Sequence, residues 1–285
     1  MDLHSVRTFL TLVETHNFRV ASEQLNLTKS AVSARIKQLE QVLQVTLFQR
    51  GQDGVHLTPA GKKFYHHAMA LKQCWEKAQK DVRLGTDIEG HISLGIHSAM
   101  AEDILLDWQG MIRQQHPHIS VHGEADYSTN IVQMVANGLL DIGVIYIAET
   151  RPGLSIERLF DDQLVLVSTD HLYLKDIEPA NYLYLDWGSG YTSWHAENLP
   201  KLEQGPASLG LGSLGLNYLQ KFRGSAYLPA RLLRNRPLDA QINVVKDAPS
   251  FKRSVYVTYP TKPHDKTSQK IALKALNEIV HVLAN

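Results

Sequence analysis

The sequence predicts an all-α amino-terminal region followed by an α/β body. Three observations carry that expectation. Apolar residues recur at helical spacing, with capping residues before them, from Leu3 to about Leu84. Beyond Gly85, short apolar runs such as HISLGI and DIGVIYIA alternate with helical stretches. The charge also divides: residues 1–85 hold 12 Lys+Arg against 7 Asp+Glu, and the remainder holds 17 against 22. A net charge of zero thus hides a basic head and an acidic body. Such asymmetry fits a nucleic-acid-binding module joined to another function, although a solvated surface carries the same charge.

A length of 285 residues is near twice the common domain size, so two domains are expected. Hydrophobic residues at 44% and charged residues at 20% are ordinary for a globular chain. The single Cys74 excludes an internal disulfide framework and fits a reducing compartment. The opening MDLHSVRTFL has neither a basic n-region nor a long apolar h-region, and no apolar run is long enough to span a bilayer. A soluble, cytoplasmic protein with no membrane partner is expected.

Val6, Phe9, Leu10 and Val13 predict a helix over 3–15, and Asn17 caps a second over about 18–25 that buries Ala21 and Leu25. Thr28 is a good N-cap for a third helix starting at Lys29. Val32, Ile36, Leu39 and Leu43 fall within an arc about 60° wide, taking 100° per residue. Ser30, Ser33, Ala34 and Lys37 fall on the opposite arc, with Lys29 and Arg35 towards its edges. Two short helices joined by a tight turn, the second polar outward, match a helix-turn-helix. The small side chains let a backbone approach closely, and the cations suit phosphates or guanine acceptors in a major groove. The alternative is the surface face of an all-helical domain.

Next, Thr46–Arg50 and Val55–Thr58 flank Gln52-Asp53-Gly54, a strong short-range hairpin signal. A hairpin after a recognition helix is a wing. Thr58 then caps a helix that has Pro59 in its first turn and runs to about Leu84. Phe64, Ala68, Leu71, Trp75, Ala78 and Val82 step along it as a heptad seam. A helix roughly 39 Å long with such a seam either packs on its own domain or pairs with a second copy. Pairing would present two heads to a two-fold site.

This region resembles the winged helix-turn-helix of LysR-type transcriptional regulators. The resemblance rests on Phe9, Phe18, Ala21 and Leu25, then LTKSAVSARIKQLEQVL, LFQR and LTPAG, in order over some sixty residues. It implies that Lys29, Ser30, Ser33, Lys37 and the wing near Arg50 and Gln52 meet double-stranded DNA, beside Thr28, Ala34 and Arg35. There are departures: Lys29 stands where the family usually has glutamine, Gln44 where it commonly has glycine, and Gln52 where it often has arginine. An operator inferred from relatives is therefore in doubt.

In the body, strands are expected at His91–Ile96, ISVHGEA, LLDIGVIYIA, LVLVST, YLYLDW and SVYVTYP. Helices are expected over 101–115, Ile131–Leu139, the Gly- and Leu-rich Ser208–Phe222 and the closing SQKIALKALNEIVHVLA. This layout resembles the family's effector-binding region, two α/β lobes like those of a solute-binding protein. NGLLDIGVIY and, more loosely, GSAYLPARLL are similar to its segments. The expected domains are 1–58, a linker and dimerisation helix over 59–86, and an effector-binding domain over 87–285. Within the last, one lobe spans about 90–160 and 262–285, the other about 161–261. YLDWGSGY resembles a branch of the family that includes a repressor of a flagellar master operon, which assigns no target here.

Ligands in such folds lie at the carboxyl ends of strands, between lobes. Candidate effector contacts are Ser98 as cap of the next helix, its neighbour Ala99, Tyr127 and Ser128, Tyr146, Trp187 and Gly188, and Tyr227. Ser98 can equally be a plain cap, and Tyr127 and Trp187 lobe-interface packing. The rim aromatics hint at an aromatic ligand.

Enzymatic readings fare poorly. His66 and His67 diverge by about 100° on one helix and cannot share a metal. His116 and His118 have no cluster of other ligands beside them. Gly210, Gly212 and Gly215 have a GxGxxG-like spacing, but NLPKLEQGPAS before them is not a strand. Cys74 adjoins the seam, where packing is the simpler role. No catalytic residue, metal site or cofactor is expected. The leading reading is a homodimeric or homotetrameric DNA-binding regulator gated by a small-molecule effector, acting with RNA polymerase at a bacterial nucleoid. The alternatives are a regulator with no inducer, its cleft filled by side chains, and a two-lobed metabolite-binding protein whose amino-terminal helices serve assembly.

Overall fold

The structure, a computed structural model, describes residues 2–51, 54–83, 88–202, 206–210, 212–233 and 242–284. The chain divides into two compact units, the first built on Met1–Gly85 and the second on Thr86–Ala136 and Leu140–Asn285.

In the first unit, helices α1 (Leu3–Thr15), α2 (Phe18–Gln24) and α3 (Lys29–Leu43) close on one apolar core, with Phe9, Leu12, Val32 and Leu39 at its centre. Each start is capped as its sequence requires: Asp2 accepts from the Ser5 amide, Asn17 from Arg19 and Val20, and Thr28 from Ala31. Strands β1 (Phe48–Gly51) and β2 (Gly54–Leu57) form the antiparallel wing, in register from Phe48 with Leu57 to Gly51 with Gly54. The wing is anchored on the end of α1, where the Val55 amide donates to the His16 carbonyl at 3.0 Å. Gly54 lies at φ 121°, and a Cβ there would stand 2.8 Å from that same carbonyl oxygen, so glycine is required.

Helix α4 (Pro59–Arg83) begins under the Thr58 hydroxyl, which accepts from Gly61 at 3.0 Å. A Cβ on Gly61 would fall 2.2 Å from the Leu47 carbonyl oxygen, which explains the glycine of LTPAG. The expected seam divides along this helix. Ala68 is buried in the head and Phe64 packs edge-on against Phe9, whereas Leu71, Trp75, Ala78 and Val82 are exposed. Phe64 and Ala68 are therefore head core, because the first turns of α4 lie against α1.

The second unit is built on a seven-stranded sheet. Its strands are β3 (Gly90–His97), β4 (Ile119–Asp126), β5 (Ile142–Ile145), β6 (Leu154–Ser168), β9 (Ser225–Pro229), β10 (Asn243–Val244) and β11 (Phe251–Pro260). The order is β10-β6-β11-β5-β3-β4, with β9 paired to β6. Parallel β5-β3-β4 with helices α5 (Leu106–Gln115), α6 (Ser128–Ala136) and α9 (Lys266–Ala284) make the first lobe. The second lobe adds β7 (Leu183–Leu185) parallel to β8 (Ala207–Leu209), α7 (Ser189–Asn198) and α8 (Gly215–Phe222). Strands β6 and β11 pair antiparallel through both lobes, with a register shift at Val255/Tyr256. Because Tyr256–Thr258 also pair with β5, the return to the first lobe falls within β11 rather than at 261/262.

Two anchors explain the first lobe. Asp141 accepts from the Ser93 amide and hydroxyl at 2.7 and 2.6 Å, fixing the start of LDIGV against β3. The fully buried Trp108 of α5 donates its indole N–H to the Ala272 carbonyl of α9 at 3.1 Å.

Several expected elements differ. The helix expected over 101–115 opens as a 3-10 turn (Ser98–Met100), continues as a π-type turn (Ala101–Leu105) and only then becomes α5. The helix expected from Ile131 begins at Ser128 and ends at Ala136. The stretch Ser208–Phe222 contributes β8 and a 3-10 turn (Gly212–Leu214) before α8. Strand β6 starts ten residues before Leu164.

Candidate functional site

Helix α3 presents Thr28, Lys29, Ser30, Ala34 and Lys37 as exposed residues, with Ser33 half-buried between them. Val32, Ile36 and Leu39 on its other side are buried, so the polar arc faces outward from the head. The Thr28 hydroxyl is engaged by the Ala31 amide and lies 3.0 Å from the Ser30 hydroxyl, leaving other first-turn amides without an intrahelical partner. Arg35 is half-buried and close to Asp2, whose carboxyl is held below its usual value first by Ser5 and more weakly by His4 and Arg35. Arg50 lies in β1, its side chain outside the described residues, and Gln52 also lies outside them.

In the body, the ends of β3 and β5 and the turns after β4 and β9 converge on one polar cluster. Tyr146, at the end of β5, is buried; its hydroxyl donates to Asp162 Oδ2 at 2.7 Å and its amide donates to the Ser128 hydroxyl at 3.1 Å. The Arg253 guanidinium stacks on the Tyr146 ring at 3.6 Å. The His97 ring meets Tyr146 and Tyr127 edge-on, with centroids 4.8 and 5.8 Å apart. Burial, then the charges of Arg253 and Arg231, lower the His97 pKa to about 4 against the opposing pull of Asp126. Burial, then the neighbouring Asp162 carboxylate, pushes the Tyr146 hydroxyl far above its ordinary value.

Arg231 follows β9 and is 5% exposed. Its Nε donates to Asp162 Oδ1 at 3.2 Å, one Nη to the Ala99 carbonyl at 2.7 Å, and the other Nη to the Asp103 carboxylate. Burial works against that charge, but Asp162, Tyr146 and Asp103 outweigh it and raise its pKa above the usual guanidinium value.

Of the expected effector contacts, Ala99, Ser128 and Tyr146 join this cluster through backbone or hydroxyl groups, and the exposed Tyr127 touches it through His97. Ser98 does not cap the next helix; the His97 ring accepts from the Ala99 amide at 3.2 Å instead, because the chain leaves β3 in a 3-10 turn. Trp187 and Tyr227 are not rim aromatics. Both are buried: the Trp187 indole donates to the Tyr227 carbonyl at 3.1 Å, and the Tyr227 hydroxyl donates to the Pro249 carbonyl at 2.7 Å. They belong to an aromatic core of the second lobe with Tyr191, Trp194 and His195. Gly188, at φ 95°, precedes α7 and donates to Asp186 at 2.8 Å.

Asp103, Asp162, Arg231 and Arg253 were not among the sequence candidates. Arg231 sits inside the GSAYLPARLL segment, a signal that spacing alone did not single out. Among the described residues, no group of three His, Cys, Asp or Glu side chains is placed to hold a metal ion. No described helix is long and apolar enough to cross a membrane.

The profile of the bacterial regulatory helix-turn-helix protein, lysR family, matches residues 3–62, and that of the LysR substrate binding domain matches residues 85–275. The chain belongs to the LysR family. It is a LysR-type transcriptional regulator, with a helix-turn-helix unit and an α/β substrate-binding unit. Among curated LysR relatives, the HTH-type transcriptional regulator HdfR of Escherichia coli O139:H28 is 29% identical over 262 residues, 91% of this chain and 92% of that protein. Full-length CbnR, a LysR family regulator solved in complex with its target DNA, shares the fold at TM-score 0.72 and 17% identity, with all of both chains covered. A full-length OxyR variant from Pseudomonas aeruginosa aligns at TM-score 0.56 and 19% identity, again over all of both chains.

Proposed function

We propose that this LysR-type regulator reads duplex DNA sequence through α3, laid in a major groove. The observation that carries this reading is the outward polar arc at the capped start of α3. Ser30, Ser33 and Ala34 permit close approach to base edges, and Lys29, Lys37 and the wing at Arg50 and Gln52 supply cations and donors for the adjoining backbone. Arg35, half-buried beside this arc, adds a further cation. The DNA complex of CbnR, a protein of the same fold, supports this reading.

Pairing of two chains through Leu71, Trp75, Ala78 and Val82 on α4 gives a homodimer with two heads, and a homotetramer follows by family resemblance. Regulation then acts on RNA polymerase at the nucleoid of a bacterial cytoplasm, and the chain has no catalytic role. A small molecule between the lobes gates DNA binding, provided it favours one lobe arrangement over another.

The test is fluorescence anisotropy of the full chain with labelled genomic duplexes across a salt series. Affinity should fall linearly on logarithmic axes, with a slope of roughly −0.9 per phosphate neutralised. Lys29→Ala should weaken binding. Salt-insensitive or absent binding would leave the amino-terminal helices as an assembly device, and the metabolite-binding reading would replace this one.

A second reading, a regulator without an inducer, is favoured by one observation: the Arg231 guanidinium already stands between elements of both lobes.

A further inference from the structure

We infer that Arg231 is a built-in latch that holds the two lobes shut without any ligand. The inference rests on the two-lobed reading of the body and is independent of how the head meets DNA.

Arg231 comes from the turn after β9, in the second lobe. Its partners lie elsewhere. The Ala99 carbonyl and the Asp103 carboxylate belong to the turns that follow β3 in the first lobe, and Asp162 lies midway along β6, where that strand passes between lobes. One side chain of the second lobe, braced by Asp162 on the neighbouring strand β6, is therefore tied to the first-lobe turns that must move away for the cleft to open. The guanidinium uses Nε and both Nη groups; rotating the lobes apart breaks its bonds to the Asp103 carboxylate and the Ala99 carbonyl together, while its bond to Asp162 stays with the paired strands β6 and β9.

The surroundings make the tie stiff. Asp162 is 2% exposed, and its second oxygen takes the Tyr146 hydroxyl, so it braces the Arg231 side chain in place. Tyr146 is held in turn by Ser128 behind its amide and by Arg253 on its ring. Beside this network the turn Ser98–Met100 of the first lobe touches the turn Gly212–Leu214 of the second. An opened cleft would part the largely buried Asp103 carboxylate from its cation, which a low-dielectric site opposes. A ligand acting on these lobes therefore meets a cleft already closed, and works by loosening the latch rather than by completing closure.

The experiment is amide hydrogen exchange on the full chain without added ligand, comparing wild type with Arg231→Met and Asp103→Asn. Asp103→Asn removes one charge at the first-lobe end and keeps the side-chain shape. The latch predicts exchange at least about tenfold faster in Ser98–Met100 and Gly212–Leu214 in both variants, with β5 amides unchanged. It also predicts that adding Asp103→Asn to Arg231→Met accelerates exchange no further. If Arg231→Met does not fold, Asp103→Asn alone decides. Unchanged exchange at both turns in a folded variant overturns the latch, as does faster exchange spread evenly through β5. Duplex binding by the same proteins tests the regulatory reading separately.

Discussion

One carboxylate oxygen of Glu40 accepts the Leu47 amide at 2.7 Å and also takes the Phe48 amide at 3.3 Å. Helix α3 and the first strand of the wing are thus joined by a single side chain near the end of α3. Leu47 is fully buried, so the joint is seated in the head core. The distance from α3 to the wing is a property of Glu40 as much as of the backbone.

Glu40→Ala should therefore destabilise the head by about 1–3 kcal/mol, because it orphans two part-buried amides. Glu40→Gln keeps an acceptor oxygen and should cost less. Denaturant unfolding of the full chain, followed through a head-specific probe, orders the two variants. Equal stability of Glu40→Ala and wild type would show that the bond contributes nothing.

Helix α3 ends on Gln44 at φ 55°, in the left-handed region. Glycine adopts that conformation without the Cβ penalty, and it is the residue the family commonly has there. Gln44→Gly should raise head stability by about 0.5–1 kcal/mol, net of the extra freedom glycine has when unfolded. A higher unfolding midpoint is the expected result; a lower one would mean that Gln44 makes compensating contacts.

His97 gives the body a pH dependence of defined sign. Its folded pKa is about 4, below the ordinary 6.5, so between those values the unfolded chain binds more protons than the folded one. The stability that neutral His97 contributes is fully present above pH 6.5 and is lost as pH falls towards 4. The span of that loss is on the order of 3 kcal/mol. His97→Gln should flatten the stability profile across this window. An unchanged slope would place the dependence on other groups.

The exposed half of the α4 seam tests assembly. Trp75 is 49% and Val82 86% exposed in the single chain. A glutamate at either position puts a charge into any paired seam, so Trp75→Glu or Val82→Glu should weaken self-association by roughly tenfold or more. Sedimentation velocity over a concentration series reads the shift. An unaltered distribution would move the dimer interface off this helix.

The head was nearly all legible in the sequence because its signals are local. Asn17, Thr28 and Thr58 sit within three residues of the amides they cap, and the Gly54 hairpin signal needs only adjacent residues. The seam was half legible: its period runs unbroken, but the sequence does not say that Phe64 and Ala68 turn towards Phe9 in the same chain. In the body, the first ten residues of β6, LSIERLFDDQ, have no apolar alternation because much of that stretch is exposed. Helix α7 went unseen because the face it buries, Tyr191, Trp194 and His195, is short and includes a histidine rather than a run of aliphatic residues. The inter-lobe cluster was the least legible. Arg231 lies 69 residues from Asp162 and 128 from Asp103, and only the folded sheet brings them together. Trp187 misled for the reverse reason: its position at the end of an expected strand suggests a rim, while the second lobe folds its aromatics, Tyr227 among them, inward.

The central claim is that α3 selects DNA by sequence. Its most direct test is capture of genomic DNA fragments by the purified full chain, repeated with Lys29→Ala and Ser33→Ala together. Enrichment of one palindromic site by wild type, lost in the variant while the protein stays folded, is the predicted result, and the genes beside that site would be the targets. Enrichment that is absent, or blind to sequence in both proteins, would contradict the claim.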